Sequence, residues 1–429
     1  MKKNLVLSLV SFLISFFLFS CSKDENKIST TGILKGTVTD FSNNQTLANV
    51  RITVYDATTN APTAYSTVSN SNGAYSIQLL PGTYYLKLSK QGCVDIPEQG
   101  ISPATLTVEL DKETIGDYQM HPSSVTNGGY ISGKVTSGGK ALAGVMVVAS
   151  DSLSGYSSVS GSDGVYYIYN IPAGNYKVKG YLANYNSTEA DVTVTANTES
   201  SGKDITLTSG ATGSLSGMVS FLATNNGEVD VTLAHPITKE TIPGLVTKTV
   251  GGIYTLNYIP NGVYTAKASY NNDGYVVDPD WIIKNGEPTV TINNNKVTMN
   301  FSVTGAVRLN SPTNDSTTTK PIEITETSPT FSWTAYSSTN DYVIEVSDIS
   351  GKIIWGGFTK SGSTITKNIV IPKNQLSIVF NADGKAKSSL IKGMPYRWKI
   401  YASKDDTKET NGWKLISVSE EQRGLFIIK

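Results

Sequence analysis

Short segments in which apolar and polar side chains alternate run through most of the chain. Residues 50–54 read Val-Arg-Ile-Thr-Val and residues 75–79 read Tyr-Ser-Ile-Gln-Leu, and in both every second side chain is apolar. Alternation with a period of two predicts a β-strand that buries one face. Asn72-Gly73 supplies the positive-φ residues that a tight hairpin turn requires. The pattern therefore predicts an all-β fold class built of tandem β-sandwiches.

The same pattern occurs three times along the chain. Each copy contains a tyrosine after a turn, a proline six residues later, and then a Gly-x-Tyr segment. The turn tyrosines are Tyr75, Tyr166 and Tyr254, so the copies are separated by 91 and 88 residues. A period this long predicts domain-sized modules in tandem and not a solenoid of short repeats. We name these modules repeat 1 (residues 32–121), repeat 2 (129–209) and repeat 3 (211–307).

Residues 308–429, here called the C-terminal domain, follow a different pattern. A polar, Thr-rich stretch leads into Thr-Phe-Ser-Trp333, and a later predicted strand opens with Tyr396-Arg-Trp398. A tryptophan on an early strand and a tyrosine that opens a late strand resemble a fibronectin type III sandwich. We expect Trp333 and Trp398 to lie in its core.

The order of motifs in the three repeats resembles a known domain family. Gly-x-Val, Val-x-Val, (Asn/Asp)-Gly-x-Tyr and Gly-x-Tyr after a proline are similar to the carboxypeptidase regulatory-like domain, a transthyretin-like sandwich. In repeat 3, Gly251-Gly252 replaces the Asn/Asp-Gly turn, and an insertion follows at residues 273–281. The resemblance implies three such sandwiches, the third divergent, without the peptidase module. Because the fold is often grouped with carbohydrate-binding modules, a glycan or a surface protein is the implied ligand.

The N-terminal segment is typical of an export signal. Lys2 and Lys3 precede an apolar run of 16 residues, which is shorter than the ~20 residues of a membrane span. The run ends in Leu-Phe-Ser-Cys21, which resembles the lipobox of bacterial lipoproteins, and the lysine and acidic residues that follow resemble the surface-export tag of Bacteroidota. The resemblance implies a signal peptide over residues 1–20, lipidation of Cys21 and a tether over residues 21–31. The membrane is then a partner through the lipid anchor, and the expected location is the outer membrane, exposed at the cell surface.

Charge and composition argue against several classes of partner and cofactor. Lys and Arg number 35 and Asp and Glu number 35, a balance that argues against a nucleic acid partner. Two His and two Cys are too few for most metal sites built from these residues, so we predict no metal and no cofactor. With Cys21 lipidated, Cys93 has no partner for an intramolecular disulfide, and we expect it to be buried.

The histidines do not stand in a catalytic pattern. His121 and His235 are each followed by Pro, and neither has the Glu three residues later that a zinc carboxypeptidase uses. No Gly-x-Ser-x-Gly elbow stands between a predicted strand and a helix. We therefore predict surface histidines, no catalytic residues and no enzyme. A hydrolase stays open as an alternative, because Asp278 and Asp280 could act as paired carboxylates, although they could equally belong to a loop that caps the sandwich.

Exposed aromatic side chains are the candidates for ligand binding, because aromatic rings can stack on sugars. Four residues are the candidates: Tyr275, Trp281, Trp355 and Trp413. Two serines, Ser152 and Ser316, follow an aspartate and resemble the O-glycosylation acceptors of Bacteroidota. Both lie in predicted loops, where a sugar has room.

The sequence thus predicts a non-catalytic cell-surface lipoprotein that binds or presents carbohydrate or protein ligands on stacked β-sandwich modules. The alternative is a structural or assembly subunit of an outer-membrane or surface complex that binds no ligand of its own.

Overall fold

The computed structural model describes residues 30–98, 101, 103–222, 227–268, 274–314, 321–348 and 351–429. The predicted signal peptide, the lipidation of Cys21 and the glycosylation of Ser316 concern residues outside these ranges. No helix within them is long and apolar enough to cross a membrane.

The strands of repeat 1 form two facing sheets. In chain order they are β1 (Gly32–Asp40), β2 (Arg51–Asp56), β3 (Ala61–Val68), β4 (Ala74–Leu79), β5 (Gly82–Ser89), β6 (Thr105–Val108), β7 (Glu113–Ile115) and β8 (Tyr118–Met120). In the first sheet, β1 pairs antiparallel with β4 and parallel with β7 and β8. The second sheet has the order β3-β2-β5-β6.

Repeat 2 follows the same plan with a larger first sheet. Its strands are β9 (Gly129–Ser137), β10 (Lys140–Ala141), β11 (Met146–Ser150), β12 (Gly155–Val159), β13 (Val165–Ile171), β14 (Gly174–Tyr181), β15 (Tyr185–Ser187), β16 (Glu189–Val194), β17 (Glu199–Ser200) and β18 (Ile205–Ser209). Here β9 takes the place of β1, with β13 antiparallel and β17 and β18 parallel to it. The second sheet has the order β12-β11-β14-β16.

Repeat 3 keeps this topology and adds a helix. Its elements are β19 (Gly213–Phe221), β20 (Asp230–Ala234), β21 (Thr241–Lys248), β22 (Ile253–Ile259), β23 (Gly262–Lys267), β24 (Tyr275–Val277), α1 (Pro279–Asn285), β25 (Thr289–Ile292), β26 (Lys296–Thr298) and β27 (Phe301–Gly305). Strand β19 pairs antiparallel with β22 and parallel with β26 and β27. The three repeats confirm the predicted tandem β-sandwiches.

The turn between β3 and β4 corrects one local prediction. Gly73 has the expected positive φ of 72°, but the flanking strands do not form a hairpin. Strand β3 pairs with β2, whereas β4 pairs with β1 in the opposite sheet. The tight turn therefore carries the chain from one sheet to the other, and turn residues alone do not tell these two outcomes apart.

A three-residue arrangement explains why Gly-x-Val and Gly-x-Tyr recur. In repeat 2, Gly133 lies opposite Tyr166 across the antiparallel pair, and the Tyr166 hydroxyl donates a hydrogen bond to the carbonyl of Lys203 at 2.5 Å. That carbonyl lies so close to Gly133 that an added Cβ would be 2.2 Å from it. The same trio recurs as Gly36, Tyr75 and Gly116 in repeat 1, and as Gly217, Tyr254 and Met299 in repeat 3.

The tyrosine of each Gly-x-Tyr segment folds back on its own turn. The Tyr176 hydroxyl donates to the carbonyl of Pro172, four residues earlier, at 3.0 Å, and an added Cβ on Gly174 would be 3.3 Å from the ring. Tyr84 bonds the carbonyl of Leu80 and Tyr264 bonds that of Pro260 in the same way. Both repeated tyrosines are therefore structural, each satisfying a backbone acceptor inside its sandwich.

The C-terminal domain is also a two-layer β structure. Its strands are β28 (Leu309–Ser311), β29 (Ile322–Ile324), β30 (Thr330–Trp333), β31 (Asp341–Asp348), β32 (Ile353–Gly356), β33 (Phe358–Ser361), β34 (Thr364–Lys367), β35 (Ile371–Pro372), β36 (Ser377–Val379), β37 (Pro395–Asp405), β38 (Trp413–Val418) and β39 (Leu425–Ile428). The main sheet runs β29-β39-β37-β31-β32, and a smaller sheet runs β28-β30-β36. Trp333 and Trp398 lie in the core at 1% and 0% exposure, as predicted.

The helix α1 replaces the loop expected in the insertion of repeat 3. Asp278 caps its N-terminus by accepting a hydrogen bond from the backbone N–H of Asp280 at 3.0 Å, and Pro279 occupies the first turn. Gly286 follows the last turn with a φ of 83°. These are ordinary start and stop signals, but a helix of seven residues is too short to show helical periodicity.

The three repeats contact one another directly. The Tyr55 hydroxyl of repeat 1 donates to the Gly144 carbonyl of repeat 2 at 3.2 Å. The Gly244 N–H of repeat 3 donates to the Asn60 carbonyl of repeat 1 at 3.0 Å. Met146 of repeat 2 belongs to the hydrophobic core of repeat 3.

The C-terminal domain contacts repeat 3 and also repeat 1. On the repeat 3 side, Lys284 pairs with Glu409 at 2.7 Å and Lys267 pairs with Glu421 at 3.4 Å. The Lys267 ammonium is the largest cause that holds the pKa of Glu421 well below its usual range. On the other side, Ile427 and repeat 1 share the wall of one cavity. The four domains therefore form a closed arrangement in which the last domain returns to the first.

Candidate functional site

The four candidate aromatic residues do not form one site. Trp355 is 1% exposed, and its indole N–H donates to the Asp383 carboxylate at 2.8 Å. The expectation that Trp355 is exposed is therefore wrong, because its side chain points into the core of the C-terminal domain. Trp281 is 43% exposed on α1.

Trp413 and Tyr275 are half-buried and already in contact with other side chains. The Lys367 ammonium lies 4.6 Å from the centre of the Trp413 ring, and Phe358 stacks on that ring at 5.9 Å. Phe221 meets the Tyr275 ring edge-on at 5.3 Å. These contacts leave less ring surface for stacking on a sugar than the sequence suggests.

The two carboxylates beside Trp281 are engaged within the protein. Asp278 caps α1, and Asp280 accepts a hydrogen bond from the Leu415 N–H at 3.0 Å and pairs with Lys284 at 2.5 Å. The segment is a helix start and not the loop capping the sandwich that the sequence offered as the alternative to paired catalytic carboxylates. Asp278 therefore stabilises the start of α1, and Asp280 links α1 to the C-terminal domain through Leu415.

Ser152, the candidate glycosylation site within the described residues, is exposed in the turn between β11 and β12. The Asp151 carboxylate shapes this turn, because it accepts hydrogen bonds from the N–H groups of Leu153 at 2.7 Å and Ser154 at 2.6 Å. The hydrogen bond from the Ser154 N–H, followed by that from the Leu153 N–H, lowers the pKa of Asp151.

One histidine and the lone cysteine of the described residues are buried. His235 is 3% exposed, which corrects the predicted surface position, and its Nδ1 accepts a hydrogen bond from the Thr238 N–H at 3.2 Å. Burial lowers the pKa of His235 to about 4. Cys93 is 5% exposed, as predicted. Within the ranges that the structure describes, no three His, Cys, Asp or Glu side chains come together in a group that could hold a metal ion.

A cavity of about 260 Å³ lies between repeat 1 and the C-terminal domain. The loop after β5 forms one wall, and backbone hydrogen bonds between Ile96 and Leu88 at 2.8 and 2.9 Å hold that loop on the strand. Strands β7 and β8 form a second wall, with Ile115 at the mouth, and Ile427 of β39 lies across from them. Most lining residues are apolar, which is typical of ligand cavities.

Comparison with protein families identifies two of the repeats. Residues 33–112 and 130–208 match the carboxypeptidase regulatory-like domain. Repeats 1 and 2 are carboxypeptidase regulatory-like domains. Repeat 3 lies outside both matched ranges, so its membership of the same family stays a prediction, as does the fibronectin type III assignment of residues 308–429. No curated protein matches the sequence significantly.

Several solved structures are similar to the chain at low identity. The Bacillus anthracis TIE protein is 14% identical over 88% of this chain and 68% of that one, with a TM-score of 0.18. A streptococcal ancillary pilin is 13% identical over 63% of this chain and 98% of that one, with a TM-score of 0.19. A leucine-rich repeat protein from Bacteroides thetaiotaomicron is 18% identical over 43% of this chain and 27% of that one, with a TM-score of 0.21. Values this low carry no argument about function.

Repeat 1 supplies most polar groups of the cavity. The Asp117 carboxylate accepts a hydrogen bond from the Thr37 N–H at 2.7 Å, and Glu323, from the C-terminal domain, pairs with Lys429 at 2.7 Å. His121 packs on Phe41 with 4.1 Å between ring centres. Burial lowers the pKa of His121, so the ring is neutral at pH 7.

Glu98 differs from the other acidic groups of the cavity. Burial raises the pKa of Glu98 to about 7, and no neighbouring cation opposes this effect. Its carboxylate makes no hydrogen bond or ion pair with any residue that the structure describes. The cavity therefore combines apolar walls with one carboxylate that has no partner among the described residues.

This site could not be predicted from the sequence, because its walls come from distant parts of the chain. Phe41 and Ile427 are separated by nearly the whole protein, and nothing in either segment indicates the other. The run Ile96-Pro97-Glu98, a carboxylate beside two apolar residues in a loop, is the one local signal.

Proposed function

We propose that this protein is a non-catalytic, lipid-anchored surface protein that holds a protein ligand in the cavity between its first and last domains. The observation that supports the proposal is the cavity of about 260 Å³ with mostly apolar walls. Ligand sites combine such walls with a few polar groups that fix orientation.

The geometry favours a protein ligand over a carbohydrate. A sugar ring needs an exposed aromatic face. Trp355 is buried, and Lys367 and Phe358 lie against Trp413. Trp281 is exposed but does not line the cavity. An apolar cavity near the small end of the usual ~300–1000 Å³ range suits one inserted side chain.

The lipid anchor completes the proposal. Cys21 follows an apolar export signal, and acyl chains at this residue would tether the β-sandwich modules to the outer membrane at the cell surface. Stable anchoring takes two membrane signals, such as dual acylation, because one chain binds only marginally. The assembly-subunit alternative shares this anchor but does not need the cavity.

The proposal is tested with a substitution that narrows the mouth of the cavity. Ile115 is 55% exposed at the mouth, so Ile115→Trp adds bulk there with little effect on the core. Ile253 is 59% exposed on β22 of repeat 3 and provides the control Ile253→Trp. The mature lipoprotein, purified in detergent, is incubated with outer-membrane proteins of its own cells.

We expect wild type and Ile253→Trp to retain the same protein and Ile115→Trp to lose it at least tenfold. Equal capture by all three would favour the assembly-subunit alternative, in which binding bypasses the cavity. Binding to glycans alone would overturn the choice of a protein ligand. The mass of the N-terminal peptide tests the anchor, since an unmodified Cys21 thiol contradicts it.

A further inference from the structure

We propose that the cavity between repeat 1 and the C-terminal domain receives the side chain of a lysine from the protein ligand, with Glu98 as the anion that binds its ammonium group. This inference rests on the proposed function and names the chemistry of the same site.

The lining of the cavity combines apolar walls with a carboxylate. Phe41, Leu86, Ile96 and Ile427 give the cavity apolar walls, and Glu98 adds a carboxylate. A lysine side chain has the same division, with an aliphatic stem that packs on apolar surface and a single charge at its tip.

The charge of the Glu98 carboxylate is complementary to that of an incoming ammonium group. The other acidic groups of the lining have partners, Thr37 for Asp117 and Lys429 for Glu323. Among the acidic side chains of the lining, only the Glu98 carboxylate has no partner within the part of the chain that the structure describes. A buried carboxylate without a cation is unfavourable, so an incoming ammonium group gains more here than at an exposed acid.

Neither His121 nor Lys35 supplies the cation for Glu98. His121 is neutral at pH 7 because burial lowers its pKa, and it cannot serve as the cation for Glu98. The nearby Lys35 is 2.6 Å from Glu113 and does not line the cavity. No cation among the described residues is paired with Glu98, so the ligand can supply one.

Two small probes test the inference on the full mature protein. The first is Nα-acetyl-lysine N-methylamide, and the second is the norleucine analogue, which keeps the apolar stem and lacks the ammonium group. Binding of each is measured by titration calorimetry and by ligand-observed NMR. We expect the lysine probe to bind at least tenfold more tightly at pH 8, because its ammonium group adds a charge-assisted hydrogen bond to the apolar contacts that both probes make.

Glu98→Gln should remove this preference and leave the norleucine probe bound. The control Glu113→Gln changes an exposed acid on β7, outside the cavity lining, and should leave the preference unchanged. The preference should also shrink between pH 8 and pH 6, because Glu98 takes up a proton around pH 7.

The outcomes separate the two proposals. Equal binding of both probes, blocked by Ile115→Trp, would overturn the role of the ammonium group and leave the cavity as a site for apolar groups. A preference for lysine that survives Glu98→Gln would also overturn the role of Glu98. Binding of neither probe would count against the cavity as a ligand site and so against both proposals.

Discussion

At the scale of single residues, His235 carries the clearest pH dependence. Its ring is buried against Tyr181 at 5.2 Å, and its Nδ1 accepts hydrogen bonds from the N–H groups of Ile237 and Thr238. The hydrogen bonds to Nδ1 require the neutral ring, because a protonated Nδ1 cannot accept them. Burial is the main cause that lowers the pKa of His235 to about 4, so the folded state takes up this proton less readily than the unfolded state.

Stability should therefore fall as the pH drops from about 6.5 to about 4, by up to about 3 kcal/mol at a shift of this size. Above pH 6.5 the ring is neutral in both states and the penalty is absent. His235→Asn keeps an acceptor for the two N–H groups and removes the titration, so its stability should change less over this range. Urea unfolding at pH 4, 5.5 and 7 measures the difference.

His121→Asn is the matched control for that experiment. His121 is half-buried, and Asp40 and Glu323 partly oppose the effect of burial on its pKa. We expect the control to keep most of the pH dependence. If His121→Asn and His235→Asn flatten the profile equally, burial of His235 is not its source.

Residue exposure is the property that the sequence predicts least well. The sequence predicts Trp333 and Trp398 in the core, because their motifs resemble those of a fibronectin type III sandwich. Trp355 follows two isoleucines, and three successive apolar residues do not show which of them faces inward. The Pro after His235 marks a strand end but does not reveal that repeat 2 covers that end.

At the scale of elements, the glycine, tyrosine and carbonyl trio joins two antiparallel strands to the segment between the two short strands that run parallel to the first. In repeat 3, the Tyr254 hydroxyl on β22 donates to the Met299 carbonyl at 2.7 Å, and Gly217 on β19 lies beneath that carbonyl. The trio fixes the approach of the segment between β26 and β27, the two strands that run parallel to β19. Any side chain at the glycine would push this segment away.

Tyr254→Phe should lower the stability of repeat 3 by about 1 kcal/mol, the net value of one hydrogen bond. Gly217→Ala should cost at least about 2 kcal/mol, because its Cβ would lie 1.8 Å from the Met299 carbonyl. Tyr258→Phe, at a residue 62% exposed on the same strand, is the control and should stay within about 0.5 kcal/mol. Denaturant unfolding followed by tyrosine fluorescence measures all three, and a Gly217→Ala cost equal to that of the control would contradict the close approach.

Element prediction succeeded where the sequence carries a local rule. Alternation gave the strands, and Gly-rich turns gave their ends. The pairing of β3 and β4 with different sheets was not predictable, since both outcomes use the same turn residues. Helix α1 was missed because its signals, Asp278 and Pro279, are also loop signals.

At the scale of the whole molecule, a group of charges lies where three domains meet. Lys87 of repeat 1 is 3.6 Å from Glu240 of repeat 3, and Asp95 of repeat 1 lies beside them against residues of repeat 2. Burial, followed by the charge of Glu240, raises the pKa of Asp95 well above its usual range, although Lys87 opposes this. Two carboxylates thus share one ammonium group.

An acid whose pKa is raised by folding costs stability above its unfolded pKa and regains it as the pH falls. Asp95→Asn should therefore raise the melting temperature at pH 7, by about 2–4 °C for a gain near 1 kcal/mol. Asp405→Asn, at an exposed aspartate, is the control and should change nothing. Scanning calorimetry at pH 7 and pH 4 gives the comparison, and a drop for Asp95→Asn at pH 7 would show that the carboxylate is needed at the junction.

The junctions and the cavity were beyond the sequence because they depend on how finished domains dock. Each strand pattern specifies its own sandwich, and residues at a domain surface look polar or mixed whether or not another domain covers them. The tandem repeats suggested modules in a row. The contacts between repeat 1 and repeat 3, and between repeat 1 and the C-terminal domain, add a closure that no periodicity contains.

The return of the last domain to the first determines how the molecule would carry mechanical tension. A ligand between Phe41 and Ile427 would rest on the same sandwich whose first strand, β1, begins at Gly32, next to the N-terminal tether. A pull between ligand and membrane would then load repeat 1 along β1 and its parallel neighbours, and would leave repeats 2 and 3 outside the force path. Force spectroscopy on protein held through its N-terminal segment should accordingly find one sandwich, not four, that sets the rupture strength.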